Sequence, residues 1–537
     1  MNALVLLSIV LILAGIFGFI ISRLRNEFNF LGTCLNLYYA TYLFIVTRKT
    51  EVLSHRLFTL RNINFGFYLD QFSSIIILSV ALIGFMILLY SLRSMRNYRH
   101  LNIYYLFLLI TLSIGNSMIL ANNLIFLLLI SVISLLVLYI FILITTGQED
   151  KETIKLSTIT NPMFLIVGLS NALILAGILI LLFSNGITSI ISEPRLIANT
   201  PILITSFLVI LIGIIGKIGI IPLHSWTLKI VKSPITIMTF IPMVIDKIVG
   251  IYLLFRISYF IFNISDTYLI RLTILCLGAL SIILASLVAT VSRDAYRLLT
   301  FGSISQIGFV FIGIGSANLY GIAGSIYHLI NYLTFQPSLL LATGSIEYWI
   351  KTTHLENFQG IGAKLPITYS IILLTSLACM GIPPLNGFFS KWWLLEGISR
   401  MKMFNTNFVS IILLLILIFG IIVTPIYLLK ILYSLKQPQP ENIQKSFHHI
   451  RDPNFTMLFP PAFLSILCII LGVLVIPLVW RVIIIPCLIS TKLYTYDTIS
   501  NINPLTFNFI PVLLVISILI GIIYYYRKLY PQRLRSV

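Results

Sequence analysis

The sequence is poor in charge. Asp, Glu, Lys and Arg make up 9% of its 537 residues and only 16 residues are acidic, where an ordinary globular chain carries about 25% charged residues. A soluble domain with a solvated, charged surface is excluded. Cysteine is scarce too: Cys34, Cys276, Cys379, Cys468 and Cys487 stand far apart, with no CxxC pair. That excludes a sequence-local redox couple or zinc knuckle, and their apolar settings predict small buried side chains. No Gly-rich phosphate loop and no metal-ligand spacing occurs, no pair of histidines at helix depth suits a haem, and His448–His449 reads as a solvated loop pair. Residues 1–22 lack a basic n-region and a small-residue cleavage site, so they read as a first membrane span and not as a cleaved signal.

What is present is apolar. Residues of the A, V, I, L, M, F, W, Y, C set reach 59%, in runs of ~20 that each suffice for a bilayer core of about 30 Å. The fold class expected is an all-α polytopic membrane protein of about 14–15 transmembrane helices, because only helices satisfy the backbone of such runs inside lipid. The spans run from 3–22 and 28–47 through 235–258, 298–316, 319–344 and 366–389 to 408–433, 458–480 and 508–526. The net charge of +19 suggests nucleic acid as a partner. However, the basic residues are scattered over short loops without interleaved aromatics, so the positive-inside rule accounts for them and nucleic acid is excluded. Arg23/Arg25, Arg93/Arg96/Arg99, Lys229/Lys232 and Arg293/Arg297 follow odd spans, which places those ends on the cytoplasmic or matrix side.

Residues 1–436 read as one membrane core, 437–457 as a polar loop, and 458–537 as C-terminal helices. Within the core, 162–290 and 298–433 each hold a Pro-interrupted, ionisable segment. In the first it is Lys217…Pro222. In the second it is His328…Pro337, where Pro337 is expected to break its helix, with Pro383–Pro384…Lys391 following. Matched interruptions of this kind point to an inverted-repeat transporter.

The candidate functional residues are the ionisable groups set in or beside apolar spans: Lys217, His224, Asp246, Lys247, His328 and Lys391. A charge at membrane depth costs at least ~2.5–3.5 kcal/mol, so it marks a protein interior or a wet path. Buried lysines and histidines can take up and release protons, and a row of them bridged by water is what lateral proton movement requires. The competing reading is that Lys217 and Lys247 snorkel to an interface, that His328 donates to a carbonyl, and that Lys391 anchors beside Trp392–Trp393. Asp246 could hold Lys217 or Lys232. Asp70 and Asp294 read as helix caps.

Several segments in order carry a resemblance. They are LDQFSS (69–74), Gly216–Lys217 with Pro222–Trp226, DKIVGIYLLFR (246–256), RDAYRLLTFGSISQIGF (293–309), YHLINYLTF (327–335) and GIPPLNGFFSKW (381–392). Over roughly residues 66–396 the chain resembles the antiporter-like membrane subunits of respiratory complex I. That family is shared with membrane-bound hydrogenases and multisubunit sodium/proton antiporters.

The resemblance implies two inverted five-helix repeats with broken seventh and twelfth helices, and a central row of protonatable residues. Lys217 resembles the lysine of the first broken helix, Lys247 the connecting lysine, His328 the relay histidine, and Lys391 the terminal lysine or glutamate. It further implies a proton-translocating subunit of an NADH:quinone oxidoreductase, with no redox chemistry and no cofactor in this chain. Flavin, iron–sulfur clusters and quinone would belong to partner subunits of a large membrane arm set in lipid. The alternatives are a cation/proton antiporter or membrane-bound hydrogenase subunit, and a structural subunit that has lost pumping. A mitochondrial inner membrane is favoured over a bacterial or archaeal cytoplasmic one, because heavy Ile, Leu, Phe, Tyr and Asn usage resembles AT-rich coding. Two departures stand out: the family's fifth-helix glutamate falls at Ser131 or Val132, and Gln336 replaces a lysine.

Overall fold

A computed structural model of the chain describes residues 3–50, 52–60, 63–146, 153–185, 200–262, 264–401, 408–438 and 450–490, with Tyr494 and Ile499. The expected span 508–526, the pair His448–His449 and most of the polar loop lie outside the described residues. The chain starts with α1 (Ala3–Ile20) and α2 (Arg25–Thr50), followed by β1 (Val52–Leu60) and β2 (Ile63–Asp70). Four long helices follow: α3 (Gln71–Ser94), α4 (Leu101–Leu120), α5 (Leu124–Thr146) and α6 (Thr153–Asn185). Next come α7 (Pro201–Ile218), the short α8 (Ser225–Lys229) and α9 (Ile235–Ile261), which has π-helical turns at Ile241–Ile245 and Ile257–Ile261. The second half runs α10 (Tyr268–Val291), α11 (Ala295–Ser316), α12 (Leu319–Ile350), α13 (Pro366–Met380), α14 (Asn386–Ser399) and α15 (Phe408–Lys436). Last are α16 (Phe455–Val473) and the stretch Val475–Ser490.

Among the described residues, 12 helices are long and apolar enough to cross a membrane. With α12 and the interrupted α13–α14 the number reaches fourteen, the helical membrane architecture expected from the sequence. The helices sort by what surrounds them. α5 and α6 present Leu129, Ile133, Leu165 and Leu169 outward, as lipid-facing helices do. α9 is buried at every described side chain, and α11 at every residue but Arg297 in its first turn. Helices with such burial mark the centre of the molecule, and every candidate residue sits on or against them, His224 only at its edge through Phe301 of α11.

Three expectations change. Pro337 lies inside α12, which runs unbroken from Leu319 to Ile350; in a buried helix, neighbours satisfy the groups a proline frees. The second interruption falls instead at 381–385, inside the expected span 366–389. The helical fold carries one small addition, a hairpin in which β1 and β2 pair antiparallel, with Val52 opposite Asp70 and Leu60 opposite Ile63. Of the cysteines, Cys379, Cys468 and Cys487 are buried as expected, whereas Cys276 is exposed on α10.

The hairpin ends in a buried ion pair. Asp70 caps α3, accepting from Ser73 N at 2.9 Å as expected of a cap. Its second oxygen meets Arg256 Nη2 at 2.6 Å, which the sequence reading missed. The guanidinium is ringed by Tyr68, Phe72, Tyr252 and Phe260, the last with its centroid 4.6 Å away. Arg256 therefore fastens the far end of α9 to the hairpin and to α3. Asp294 caps α11 through Arg297 N, as expected.

Candidate functional site

α7 carries its apolar run to Lys217 in the last turn and stops at Gly219, whose φ of 70° suits glycine. Gly216 is where α6 and α7 touch: a Cβ there would collide with Ser170 Oγ. The connector then doubles back, and Trp226 Nε1 donates to Gly216 O at 2.8 Å. Lys217 is thereby sealed in, 1% exposed, so it does not snorkel. Its Nζ lies 4.0 Å from Asp246 Oδ1 on α9. This is beyond hydrogen-bond reach, and the attraction is Coulombic, on the order of 4 kcal/mol at an effective dielectric of ~20. Of the two lysines Asp246 could hold, Lys217 is the one in place; the side chain of Lys232 lies outside the described residues.

The fifth helix has no acid to offer Lys217. Ser131 is the inward residue there and Val132, 43% exposed, faces out. Ser131 Oγ donates to Asn171 Oδ1 at 2.8 Å, and Asn171 Nδ2 returns a bond to Ser131 O at 3.3 Å. A neutral, mutually satisfied pair fills the site, and the carboxylate facing Lys217 comes from α9 instead.

Lys247, next to Asp246, leaves α9 on a different face and is fully buried. Its Nζ donates to Ser303 Oγ of α11 and lies 3.6 Å from Met243 Sδ. Ser303 Oγ is 2.7 Å from Tyr332 OH of α12, which donates to Met243 O at 2.8 Å. One turn further along both helices a second rung forms. Gln306 is three residues past Ser303, and His328 four before Tyr332, so each pair shares a face. His328 Nε2 lies 3.2 Å from Gln306 Oε1, and Nδ1 lies 2.9 Å from Ser390 Oγ of α14. His328 therefore meets side chains on two other helices, not a backbone carbonyl. Gln336, at the place of a lysine, donates to Leu299 O at 3.0 Å.

The second interruption mirrors the first. α13 ends at Gly381, φ 86°, and Pro383–Pro384 lead into α14. Lys391 reaches back from α14 to the open carbonyls of α13, donating to Cys379 O at 2.7 Å and Met380 O at 3.3 Å. A cation at a helix C-terminus is favoured by the dipole. At 3% exposed it is no interfacial anchor. Lys391 Nζ stands 5.4 Å from the centroid of Phe309, and the His328 ring 5.6 Å from the same ring. Asn331 Nδ2 donates to Asn386 O at 3.0 Å and pins α14 to α12.

Lys217, Asp246, Lys247, His328 and Lys391 thus lie along one buried path through α7, α9, α11, α12 and α14. His224 does not join it: half-buried in the connector, it packs 5.7 Å from Phe301, and no hydrogen bond to Lys217 or Asp246 is present among the described residues. The sequence reading missed Ser303, Gln306, Tyr332 and Ser390. Their signal was available, since Ser303 and Gln306 stand three apart in an apolar span, but a search for ionisable groups passes over neutral hydrogen-bonding partners. Among the described residues no cluster of three or more His, Cys, Asp or Glu could hold a metal ion.

Comparison with known proteins fits this arrangement. Residues 121–419 match the family described as NADH:quinone oxidoreductase/Mrp antiporter, TM, and residues 58–105 match the NADH-ubiquinone oxidoreductase (complex I), chain 5 N-terminus. The chain is 27% identical over 430 residues to Na(+)/H(+) antiporter subunit A1 of Staphylococcus haemolyticus, covering 76% of this chain and 52% of that protein. The chain spans about half the length of the curated relatives it matches. Among solved structures, a chain of the Mrp complex from a Dietzia species superposes with a TM-score of 0.80 at 17% identity, covering 93% of this chain and 98% of that one. A chain of respiratory complex I from Thermus thermophilus gives 0.74 at 18%, covering 91% and 99%. The likeness to these solved structures is one of fold. The staphylococcal relatives are bacterial, which gives a mitochondrial setting no support.

Proposed function

Because the chain belongs to the NADH:quinone oxidoreductase/Mrp antiporter transmembrane family, we propose that it is a proton-translocating membrane subunit of a large hetero-oligomeric complex, passing protons along its central axis. The observation that carries this reading is the enclosed row from Lys217 to Lys391. Five ionisable groups are buried in a membrane protein, and hydroxyl and amide side chains join Lys247 and His328 to the helices around them. Charges so placed are costly, and where they occur in a membrane interior they mark function. Lys217 loads from one side under the control of Asp246, Lys247 and His328 transfer, and Lys391 releases at the second interruption, with water crossing the gaps. His224 sits beside this path as part of the connector.

The likeness to a Na(+)/H(+) antiporter subunit favours exchange of a cation for protons as the driven process. The second reading is a membrane-arm subunit of an NADH:quinone oxidoreductase; in that case flavin, iron–sulfur clusters and quinone sites belong to partner subunits. The likeness to a complex I chain supports it. A structural subunit without transport is the third.

The test is isolation of the native complex with mass spectrometry of its subunits, followed by proton and sodium flux in vesicles. Flux lost in Lys217→Ala and Lys247→Ala with the complex intact supports translocation; unchanged flux refutes it. Iron–sulfur and flavin subunits in the complex would select the second reading.

A further inference from the structure

One neutral hydroxyl sets the orientation of the amide that faces His328. Thr424 Oγ1, on α15, donates to Gly420 O at 2.7 Å, the back-bond a helical threonine makes to the carbonyl four residues earlier. A hydroxyl has one proton, so Thr424 has only lone pairs left for other neighbours. The part of Gln306 3.3 Å away must then be its NH2 group, which also lies 3.2 Å from Tyr427 OH. This orientation follows from donor counting, not from the look of an amide. It turns Gln306 Oε1 toward His328 Nε2 at 3.2 Å. A carbonyl oxygen accepts and never donates, so Nε2 must carry a hydrogen.

We infer that Gln306, oriented by Thr424, is a positioning residue that holds neutral His328 as the Nε2–H tautomer, so that His328 gains and loses its proton at Nδ1 through Ser390. The inference rests on the reading of His328 as a relay group. Ser390 has the geometry for both states: its Oγ lies 2.9 Å from Nδ1 and 3.2 Å from Gly387 O. Beside neutral imidazole its proton points to Nδ1. When Nδ1 is protonated, Nδ1–H donates to Ser390 Oγ and the hydroxyl proton turns to Gly387 O. One proton arrives or leaves at Nδ1, and Nε2–H stays in place throughout. The arm through Gln306 toward Thr424 and Tyr427 is thus a fixed wall, because an amide does not readily take up and release protons. Proton exit lies on the side of α14, where Ser390 precedes Lys391.

The test is solid-state 15N NMR on the full chain with its partner subunits in vesicles, with ring-labelled histidine, at a pH where the imidazole is neutral. The His328 signal is identified by its loss in His328→Gln. The expected spectrum has a protonated Nε2 and a bare Nδ1. Thr424→Val keeps the shape, removes the acceptor and frees the amide to turn, so both tautomers should appear in comparable amounts; Thr424→Ser should restore the single one. Gln306→Leu, which removes the carbonyl, gives the same mixture if Thr424→Val does not assemble. A wild-type proton on Nδ1, or an unaltered spectrum in both Thr424→Val and Gln306→Leu, overturns the inference. The spectrum is read on the resting complex, so a complex that moves no protons still answers the question, and failure of the proposed function is scored separately by flux.

Discussion

Helix α9 carries two buried ion pairs, one at its middle and one near its C-terminal end, and the two are built in different ways. At Arg256 the contact with Asp70 is 2.6 Å, the carboxylate is also held by Ser73, and four aromatic rings surround the guanidinium. At Asp246 the contact with Lys217 is 4.0 Å, and among the described residues neither Lys217 Nζ nor Asp246 Oδ2 has a hydrogen-bond partner. The desolvation of both pairs costs several kcal/mol per ion, and only short, fully hydrogen-bonded geometry repays it. The Arg256 pair has the shorter contact and acts as a fastener, although Arg256 Nε and Nη1 also lack a hydrogen-bond partner among the described residues; an arginine also keeps its charge under all conditions. The Lys217 pair is only partly repaid, and a lysine can lose its proton. An ion pair that must open and close as protons pass is better left loose. The second interruption takes a third course, giving Lys391 the carbonyl ends of α13 and no carboxylate.

This contrast can be tested in order of expected effect. Arg256→Ala leaves Asp70 charged and alone, which should cost about 3–5 kcal/mol and deplete the assembled complex on a native gel. Normal amounts of complex would show that the pair is not a fastener. Lys217→Ala should leave assembly intact and cut proton flux by about 10²-fold, the low end of what a positioned proton-transfer group contributes. Asp246→Asn should reduce flux by about tenfold, equivalent to ~1.4 kcal/mol of lost interaction with the charged lysine. Adding Ser131→Glu to Asp246→Asn should recover part of that loss by supplying an acid from α5. An assembled double variant no better than Asp246→Asn would mean that the acid must come from α9. His224→Ala should change flux less than about twofold, because the side chain lies off the path, and surface-type substitutions stay within about 0.5 kcal/mol. A large loss there would return His224 to the relay.

Much of the path was legible in the sequence for one reason. Lipid makes charge so costly that Lys217, Asp246, Lys247, His328 and Lys391 stand out from their apolar surroundings without any structure. The same logic has less hold on His224, since a basic residue in a polar connector carries no such penalty and so no such signal. Pro337 misled in another way: proline marks a helix end in water, but in α12 neighbouring helices enclose it and the helix continues. The hairpin was passed over because β1 and β2 are short stretches between long apolar runs. Ser303, Gln306, Tyr332, Ser390 and Thr424 were invisible as a group, being ordinary residues until α11, α12, α14 and α15 bring them together.

The sequence by itself determined a polytopic helical membrane protein, its first interrupted segment and the short roster of buried charges. Hydrophobicity and the cost of desolvation act residue by residue, so both can be read along a chain. Only the tertiary structure decided that Asp246 faces Lys217, that Ser131 and not Val132 points inward, and that Gln306 rather than a carbonyl meets His328. Those outcomes depend on the rotation of each helix about its axis and on which helices become neighbours. Packing between segments far apart in sequence sets both.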